Sequence, residues 1–205
     1  MRRLAALVLL PLAACGNASG DKDDGGGIAG TGSGSVRSYP ASGFTAVELA
    51  GSDDVDVTVG PQFTVRAEGA AADLDRLRIR VDGNRLKVDR RRTSGMTWVG
   101  HKVRVHVTMP RLSAARLAGS GAFSVDRVQG DGFAGELAGS GNLAIGAMEV
   151  GRASFDIAGS GSVKAAGHAR ALGIDIAGAG DVNAAGLRAE SANVSIAGSG
   201  NVRAA

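Results

Sequence analysis

The residues that could carry out chemistry in this sequence do not form a recognisable catalytic centre. His101, His106 and His168 are not part of an H-E-x-x-H pattern. Residues 139–144 match the G-x-G-x-x-A dinucleotide motif, which requires a strand before it and a helix after it. Leu143 and Ile145 instead continue at the spacing of a strand. We therefore expect no catalytic activity and no cofactor, and we interpret these glycines as a tight corner.

One acidic group consists of Asp53, Asp54 and Asp56. Carboxylate oxygens are ligands for hard cations such as calcium, so this group is the one candidate for a metal. Short acidic patterns match by chance, however, and the group lies in a turn-like segment. We interpret it as a solvated corner and expect no metal.

The middle of the chain is basic. Between Arg66 and Arg116 the sequence has thirteen Lys or Arg against five Asp or Glu. Such a strip could bind lipopolysaccharide, teichoic acid or another polyanion, although charge runs are more often solubilising surfaces. We expect no nucleic-acid partner. The candidate polyanion-binding residues are Arg78, Arg80, Arg85, Lys87, Arg90, Arg91 and Arg92.

Trp98 is the only tryptophan and lies between Met96 and Val99 in a segment bounded by glycines. Its ring could stack on a sugar. Alternatively, it could cover an open end of a repeat domain, because the terminal units of such domains need a cap. The sequence does not separate these two roles.

The first residues have the features of a secretory signal. Arg2 and Arg3 precede the apolar residues 4–12, a run too short to span a bilayer as a permanent helix. The run ends in Leu-Ala-Ala before Cys15, which resembles the lipobox of bacterial lipoproteins, and Cys15 is the only cysteine. The resemblance implies that residues 1–14 are removed and that Cys15 is lipidated, with palmitate among its acyl chains. Because Gly16 follows, it also implies an anchor in the outer membrane of a Gram-negative cell envelope.

Residues 15–38 consist mostly of Gly, Ser, Asp and Lys. A segment of this composition buries too little apolar surface to offset its chain entropy. We expect a flexible tether between the lipid and a domain spanning residues 39–205.

The second half of the chain contains an internal repeat. The phrases begin at Leu117, Leu137, Ile157, Ile176 and Ile196, and their first glycines are spaced by 20, 20, 19 and 20 residues. Side chains alternate on both sides of each Gly-x-Gly corner, as expected for strands with one buried face. No repeat can bury its few aliphatic residues alone, whereas stacked coils share one core.

These observations predict an all-β fold, a single-stranded right-handed parallel β-helix with coils of about 20 residues. Two columns of residues should point inward. They are Leu117, Leu137, Ile157, Ile176 and Ile196, and Phe123, Leu143, Val163, Val182 and Val202. The column Arg116, Glu136, Asp156, Asp175 and Ser195 should form a solvated outer surface.

The first half is less regular. It contains one degenerate copy of the phrase in residues 47–57 and a hairpin signal at residues 82–84 between two alternating strands. Residues 101–108 read as a further strand, and residues 70–77 are the only helix candidate. We therefore expect a wider, irregular N-terminal part that leads into the regular coils.

The order of these segments resembles one bacterial family, the putative auto-transporter adhesin head domain called the GIN domain. The resemblance rests on residues 44–55, 81–88 and 103–112 and on the serial Gly-Ser-Gly phrases. It covers about residues 39–205. It implies a β-helix in the cell envelope, and it transfers no catalytic residue.

Three functions stay open at this point. The first is an envelope-anchored, non-catalytic module for adhesion or for binding an envelope polysaccharide or other polyanion. The second is an enzyme acting on polysaccharides, because β-helices also host clustered carboxylates, and Asp156 and Asp175 align between repeats. The third is a purely structural scaffold. The sequence does not indicate the ligand, the oligomeric state or the side of the membrane that the domain faces.

Overall fold

The alternating segments form strands throughout the part of the chain that the computed structural model describes, residues 26–91 and 100–204. The strands are β1 (Val36–Tyr39), β2 (Ala46–Gly51), β3 (Asp54–Val59), β4 (Thr64–Glu68), β5 (Leu77–Asp82), β6 (Arg85–Arg90), β7 (Arg104–Met109), β8 (Ala114–Gly119), β9 (Ala122–Gly139), β10 (Asn142–Gly159), β11 (Ser162–Gly178), β12 (Asp181–Gly198) and β13 (Asn201–Ala204). The one helix among the described residues is α1 (Ala71–Leu74). No described helix has the length and apolar character needed to cross a membrane.

Strands β9 to β12 each wrap once around the core and pair in parallel with the next coil. The all-β solenoid with coils of about 20 residues is therefore confirmed, with about five turns. Leu137, Ile157 and Ile176 stack in register, and each is at most 3% exposed. In the second predicted column, Leu143, Val163 and Val182 are also buried.

The Gly-x-Gly corners exist because neighbouring coils approach each other closely. Gly139 has a φ of +121°, a region that L side chains rarely adopt, and a Cβ there would lie 2.5 Å from the carbonyl oxygen of Gly119. A Cβ at Gly141 would lie 2.6 Å from the carbonyl oxygen of Gly121. Strand β10 begins at Asn142, so the dinucleotide-like motif is a solenoid corner and not a nucleotide-binding loop.

The N-terminal part does not simply precede the regular coils. The coil formed by β2 and β3 lies between β6 and β7 on one side and β8 and β9 on the other. Its corner at Gly51 pairs with the corner at Gly119, so the degenerate phrase stacks directly on the first regular one. Sequence order predicted a sequential lead-in, whereas the observed order is interleaved.

The local predictions for the N-terminal part hold with adjusted bounds. β5 and β6 form the predicted antiparallel hairpin, and Gly83 takes a φ of +59° in its turn. The helix is confined to one turn, α1, within the predicted residues 70–77.

The folded part begins before the boundary predicted at residue 39. The Ile28 N–H donates to the Ile79 carbonyl oxygen at 2.7 Å, and Thr31 forms an isolated antiparallel β-bridge with Ser38. Ile28 also packs against the core. An apolar side chain within the Gly-rich segment therefore holds residues 26–38 to the domain. The earlier residues of the predicted tether lie outside the described part.

Candidate functional site

One outer face of the solenoid carries a groove of about 620 Å³ along its axis. We call this outer surface the groove face. It consists of the outward side of residues 153–158 of β10 and of the residues in register with them on the neighbouring strands. In β10, Ala153, Phe155 and Ile157 are buried, so the alternate residues Asp156 and Ala158 point outward. Parallel in-register stacking then repeats each outward position at the strand spacing, about 4.8 Å.

The stacking creates a line of ionisable and polar side chains, which we call the charge ladder. It continues from the regular coils into the N-terminal part, because β8 pairs with β2, β2 with β6, and β6 with β5. In spatial order the ladder consists of Arg80, Lys87, Glu48, Arg116, Glu136, Asp156, Asp175 and Ser195.

The two ends of the charge ladder differ in pairing. Arg116 donates to a carboxylate oxygen of Glu136 at 2.7 Å. Asp156 and Asp175 have no ion pair within residues 26–91 and 100–204. Partial burial, and secondarily the neighbouring carboxylates of Asp175 and Glu136, raise the pKa of Asp156. The groove therefore contains uncompensated negative charge.

The walls of the groove are apolar and nearly flat. Ala138, Ala158, Ala177 and Ala197 form a column beside the charge ladder and line the groove. An ionised carboxylate accepts hydrogen bonds and donates none. This surface therefore suits a ligand that presents several hydrogen-bond donors beside an apolar face. Among the described residues, no three His, Cys, Asp or Glu side chains are arranged to hold a metal ion.

The predicted basic strip lies at the other end of the same face, and most of its cations have carboxylate partners. Arg78 and Arg80 both bind Asp89, at 2.6 and 2.9 Å. Arg85 pairs with Glu48 at 3.0 Å, and Lys87 with Asp82 at 2.7 Å. Lys87 lowers the pKa of Asp82 through this contact. Arg91 is exposed. The partners reduce the net field that the strip presents to a polyanion.

Arg90 is half-buried and closes a corner of the N-terminal part. Its guanidinium binds both oxygens of Asp53, at 2.5 and 2.8 Å, and Asp73 at 2.9 Å. The hydrogen bond to Asp53 is the main cause of the raised pKa of Arg90. Asp53 also accepts the Val103 N–H at 2.8 Å and is only 1% exposed. The interpretation of Asp53 as a solvated residue is therefore wrong, because it fills a buried corner beside an arginine.

The family described as "Putative auto-transporter adhesin, head GIN domain" matches residues 43–205. The chain belongs to this family. The resemblance inferred from the phrases is thus confirmed, and the family description suggests a surface or envelope protein. No curated protein matches the chain in sequence.

Solved structures share the GIN-domain fold. A putative adhesin from Bacteroides fragilis has a TM-score of 0.76 at 21% identity, covering 82% of this chain and 78% of that chain. A putative adhesin from Parabacteroides distasonis has a TM-score of 0.64 at 20% identity, over 82% and 81%. A putative lipid binding protein from the same species has a TM-score of 0.57 at 17% identity, over 85% and 98%. These TM-scores show a common fold, and at such low identities they show the fold alone.

The sequence placed the groove residues on an outer surface and gave Asp156 and Asp175 a role only in the alternative of a polysaccharide-active enzyme. The column from Arg116 to Ser195 was predicted to be a solvated surface, and the alignment of the repeats already contained the signal. The alignment did not show which charged side chains have ion-pair partners. The structure shows that Asp156 and Asp175 have none among the described residues. Three predicted site residues, Cys15, Arg92 and Trp98, lie outside the described residues.

Proposed function

We propose that this GIN-domain protein is a non-catalytic binding or adhesion module, and that its groove face binds a neutral, hydroxyl-rich polysaccharide of the cell envelope. One observation carries the proposal. Asp156 and Asp175 have no ion pair among the described residues, and they lie on adjacent coils of a groove that a column of alanines also lines. Sugar hydroxyls donate to carboxylates, and the C–H faces of sugar rings pack on apolar surface.

The module is attached to the envelope through a lipid on Cys15, in the outer membrane of a Gram-negative cell. The lipobox-like sequence before Cys15 supports this part of the proposal. Metabolic labelling with an alkyne fatty acid tests it: the wild-type chain should be labelled and sediment with outer membranes. The Cys15→Ser variant should lose both properties, and a labelled Cys15→Ser variant would contradict the anchor.

Affinity electrophoresis through gels that contain dextran, mannan, dextran sulfate or alginate tests the ligand class. We expect retardation by a neutral polymer that persists at high salt, because the contacts do not depend on net charge. Combining Asp156→Ala with Asp175→Ala should weaken this binding at least about tenfold. A hydrogen bond to a charged group contributes about 1.5–3 kcal/mol, and about 1.4 kcal/mol is a factor of ten.

Asp131→Ala is the matched control, because Asp131 is fully exposed and lies outside the groove. This variant should bind like the wild type. Retardation only by dextran sulfate or alginate, abolished by salt and by charge reversal at Arg91 and Arg92, would instead support the polyanion site on the basic strip. That outcome would contradict the groove as the binding surface.

A polysaccharide-active enzyme is the second candidate, supported by the raised pKa of Asp156 beside the carboxylate of Asp175. Glycoside hydrolysis uses such a pair, with the carboxyl of higher pKa acting as the acid. Release of reducing ends from any polymer in the panel, lost on Asp156→Ala, would favour the enzyme. We expect no release.

A further inference from the structure

The last coil of the solenoid exposes an unpaired strand edge. β12 pairs with β11 on one side, and on the other side β13 pairs only with residues 181–184. Residues 191–198 therefore have no strand partner on their outer side among residues 26–91 and 100–204. Val194 and Ile196, which occupy inward columns, are 47% and 43% exposed and are the large exposed apolar side chains of the described part.

This edge lacks the features that normally prevent strand edges from pairing. Proteins protect such edges with charged side chains, proline or a bulge. Residues 191–202 contain no charged residue and no proline. At the opposite end of the solenoid, the outermost strands carry Arg37 on β1 and Arg78 and Arg80 on β5. Of the two ends formed by residues 26–91 and 100–204, the β12 end therefore lacks the protecting charges that the other end carries.

We propose that the edge of β12 pairs with the same edge of a second copy of this chain, antiparallel and centred on Ser195. This register places Val194 opposite Ile196 of the second copy, with both side chains inward, and Asn193 opposite Ala197, with both outward. The strand is therefore its own complement, as a two-fold interface requires. Pairing buries the apolar side chains exposed at the end of the core and satisfies the free backbone groups.

The charge ladder is compatible with this pairing. Ser195 is its last member, so two serines separate Asp175 of one copy from Asp175 of the other. Three strand spacings amount to about 14 Å, which exceeds the Debye length of about 8 Å at physiological salt. Ser195 and Ala197 also line the groove, so the grooves of the two copies join into one continuous surface. A polymer lying across both would gain avidity without new contacts.

Sedimentation velocity of the full chain across a dilution series tests the proposal. We expect a reversible monomer–dimer equilibrium. Ser195→Lys should weaken dimerisation at least about tenfold, because it places like charges directly opposite each other at the two-fold axis. The side chain points outward from the monomer, so the fold should tolerate it. Ser124→Lys is the control, because Ser124 is also exposed and outward but lies on β9, three coils away from the edge of β12. This variant should dimerise like the wild type.

Charge complementation identifies the second copy as the occupant. Ser195→Lys and Ser195→Glu should each be weak dimers, and an equimolar mixture should form a heterodimer at least as stable as the wild-type dimer. A chain that is monomeric at every concentration would overturn the proposal, as would a dimer that Ser195→Lys leaves intact. Failure of the mixture to recombine would likewise reject this register. None of these results depends on whether the groove binds a saccharide.

Discussion

The N-terminal part and the regular coils solve the same packing problem with different chemistry. In the regular coils, glycine corners let one backbone rest directly on the next, and the ladders repeat with little variation. In the N-terminal part, the position equivalent to Gly121 is Asp53, whose carboxylate binds Arg90 and the Val103 N–H. The close backbone contact persists on one side of Asp53, because a Cβ at Gly121 would collide with the Asp53 carbonyl oxygen. On its other side, the Asp53 carboxylate meets the Arg90 guanidinium where a regular corner would meet a glycine. The repeat is interrupted here at a position where a charged partner occupies the space.

The charge ladder shows the same division. In the N-terminal part its members have partners, as with Lys87 and Asp82 or Arg85 and the ladder residue Glu48. In the regular coils, Asp156 and Asp175 have none within residues 26–91 and 100–204. Paired charges hold the irregular strands in register, whereas unpaired charges are available to a ligand. The proposed binding surface therefore belongs to the most repetitive region.

Removing the Asp53 carboxylate should have the largest effect. Asp53→Ala leaves the Val103 N–H without its acceptor, and among the described residues Arg90 keeps Asp73 as its remaining side-chain partner. Breaking a buried ion pair costs about 3–5 kcal/mol, so the midpoint of urea unfolding should fall sharply. Asp56→Ala is the control, because Asp56 is one-third exposed, and an exposed pair contributes about 0–1 kcal/mol. Equal midpoints for the two variants would show that the buried network does not stabilise the fold.

An alanine substitution at equivalent corners should destabilise the regular coils more than the N-terminal part. Gly51 and Gly159 have φ values of +139° and +126°, so backbone strain of about 1–3 kcal/mol applies to both. A Cβ at Gly159 would also collide with the Gly139 carbonyl oxygen, whereas a Cβ at Gly51 meets nothing within 4 Å. Gly159→Ala should therefore lower the free energy of unfolding by about 1–3 kcal/mol more than Gly51→Ala, the further cost of overpacking.

Chemical denaturation of both glycine variants gives this difference directly. The slope m should stay unchanged, since the surface exposed on unfolding is the same. If Gly51→Ala proves as damaging as Gly159→Ala, backbone conformation alone explains the corners, and close coil contact is not required.

The regular coils were predictable from sequence because their partners are related by translation. A residue at Leu137 packs on Ile157 one period later, so aligning the repeats already places the core and the outer columns. The Gly-x-Gly corners could be predicted for the same reason. Even the position of the groove was implicit in the column from Arg116 to Ser195.

The N-terminal part was not predictable in this way because its partners are far apart in sequence and unrelated by any period. Asp53 meets Arg90 only because β2 and β3 insert between strands that come later in the chain. The basic strip looked unbalanced for a similar reason. Glu48, which neutralises Arg85, lies outside the basic segment between Arg66 and Arg116. Net charge counted along the chain therefore overstated the charge that the surface presents.

The smallest expected effect concerns the uncompensated end of the charge ladder. Because the folded state raises the pKa of Asp156, ionising this carboxyl opposes folding, and stability falls as the pH rises through its titration range. Asp156→Asn should therefore stabilise the protein at pH 7, by no more than about 0.5 kcal/mol for an exposed site. The gain should vanish at a pH below about 3, where the carboxyl is protonated in both states.

Glu136→Gln is the matched control: it weakens the pair with Arg116 and should give no gain at either pH. Thermal unfolding at the two pH values measures both variants. A gain shared equally by Asp156→Asn and Glu136→Gln would mean that the ladder is uniformly repulsive, and that the division into paired and unpaired ends has no energetic basis.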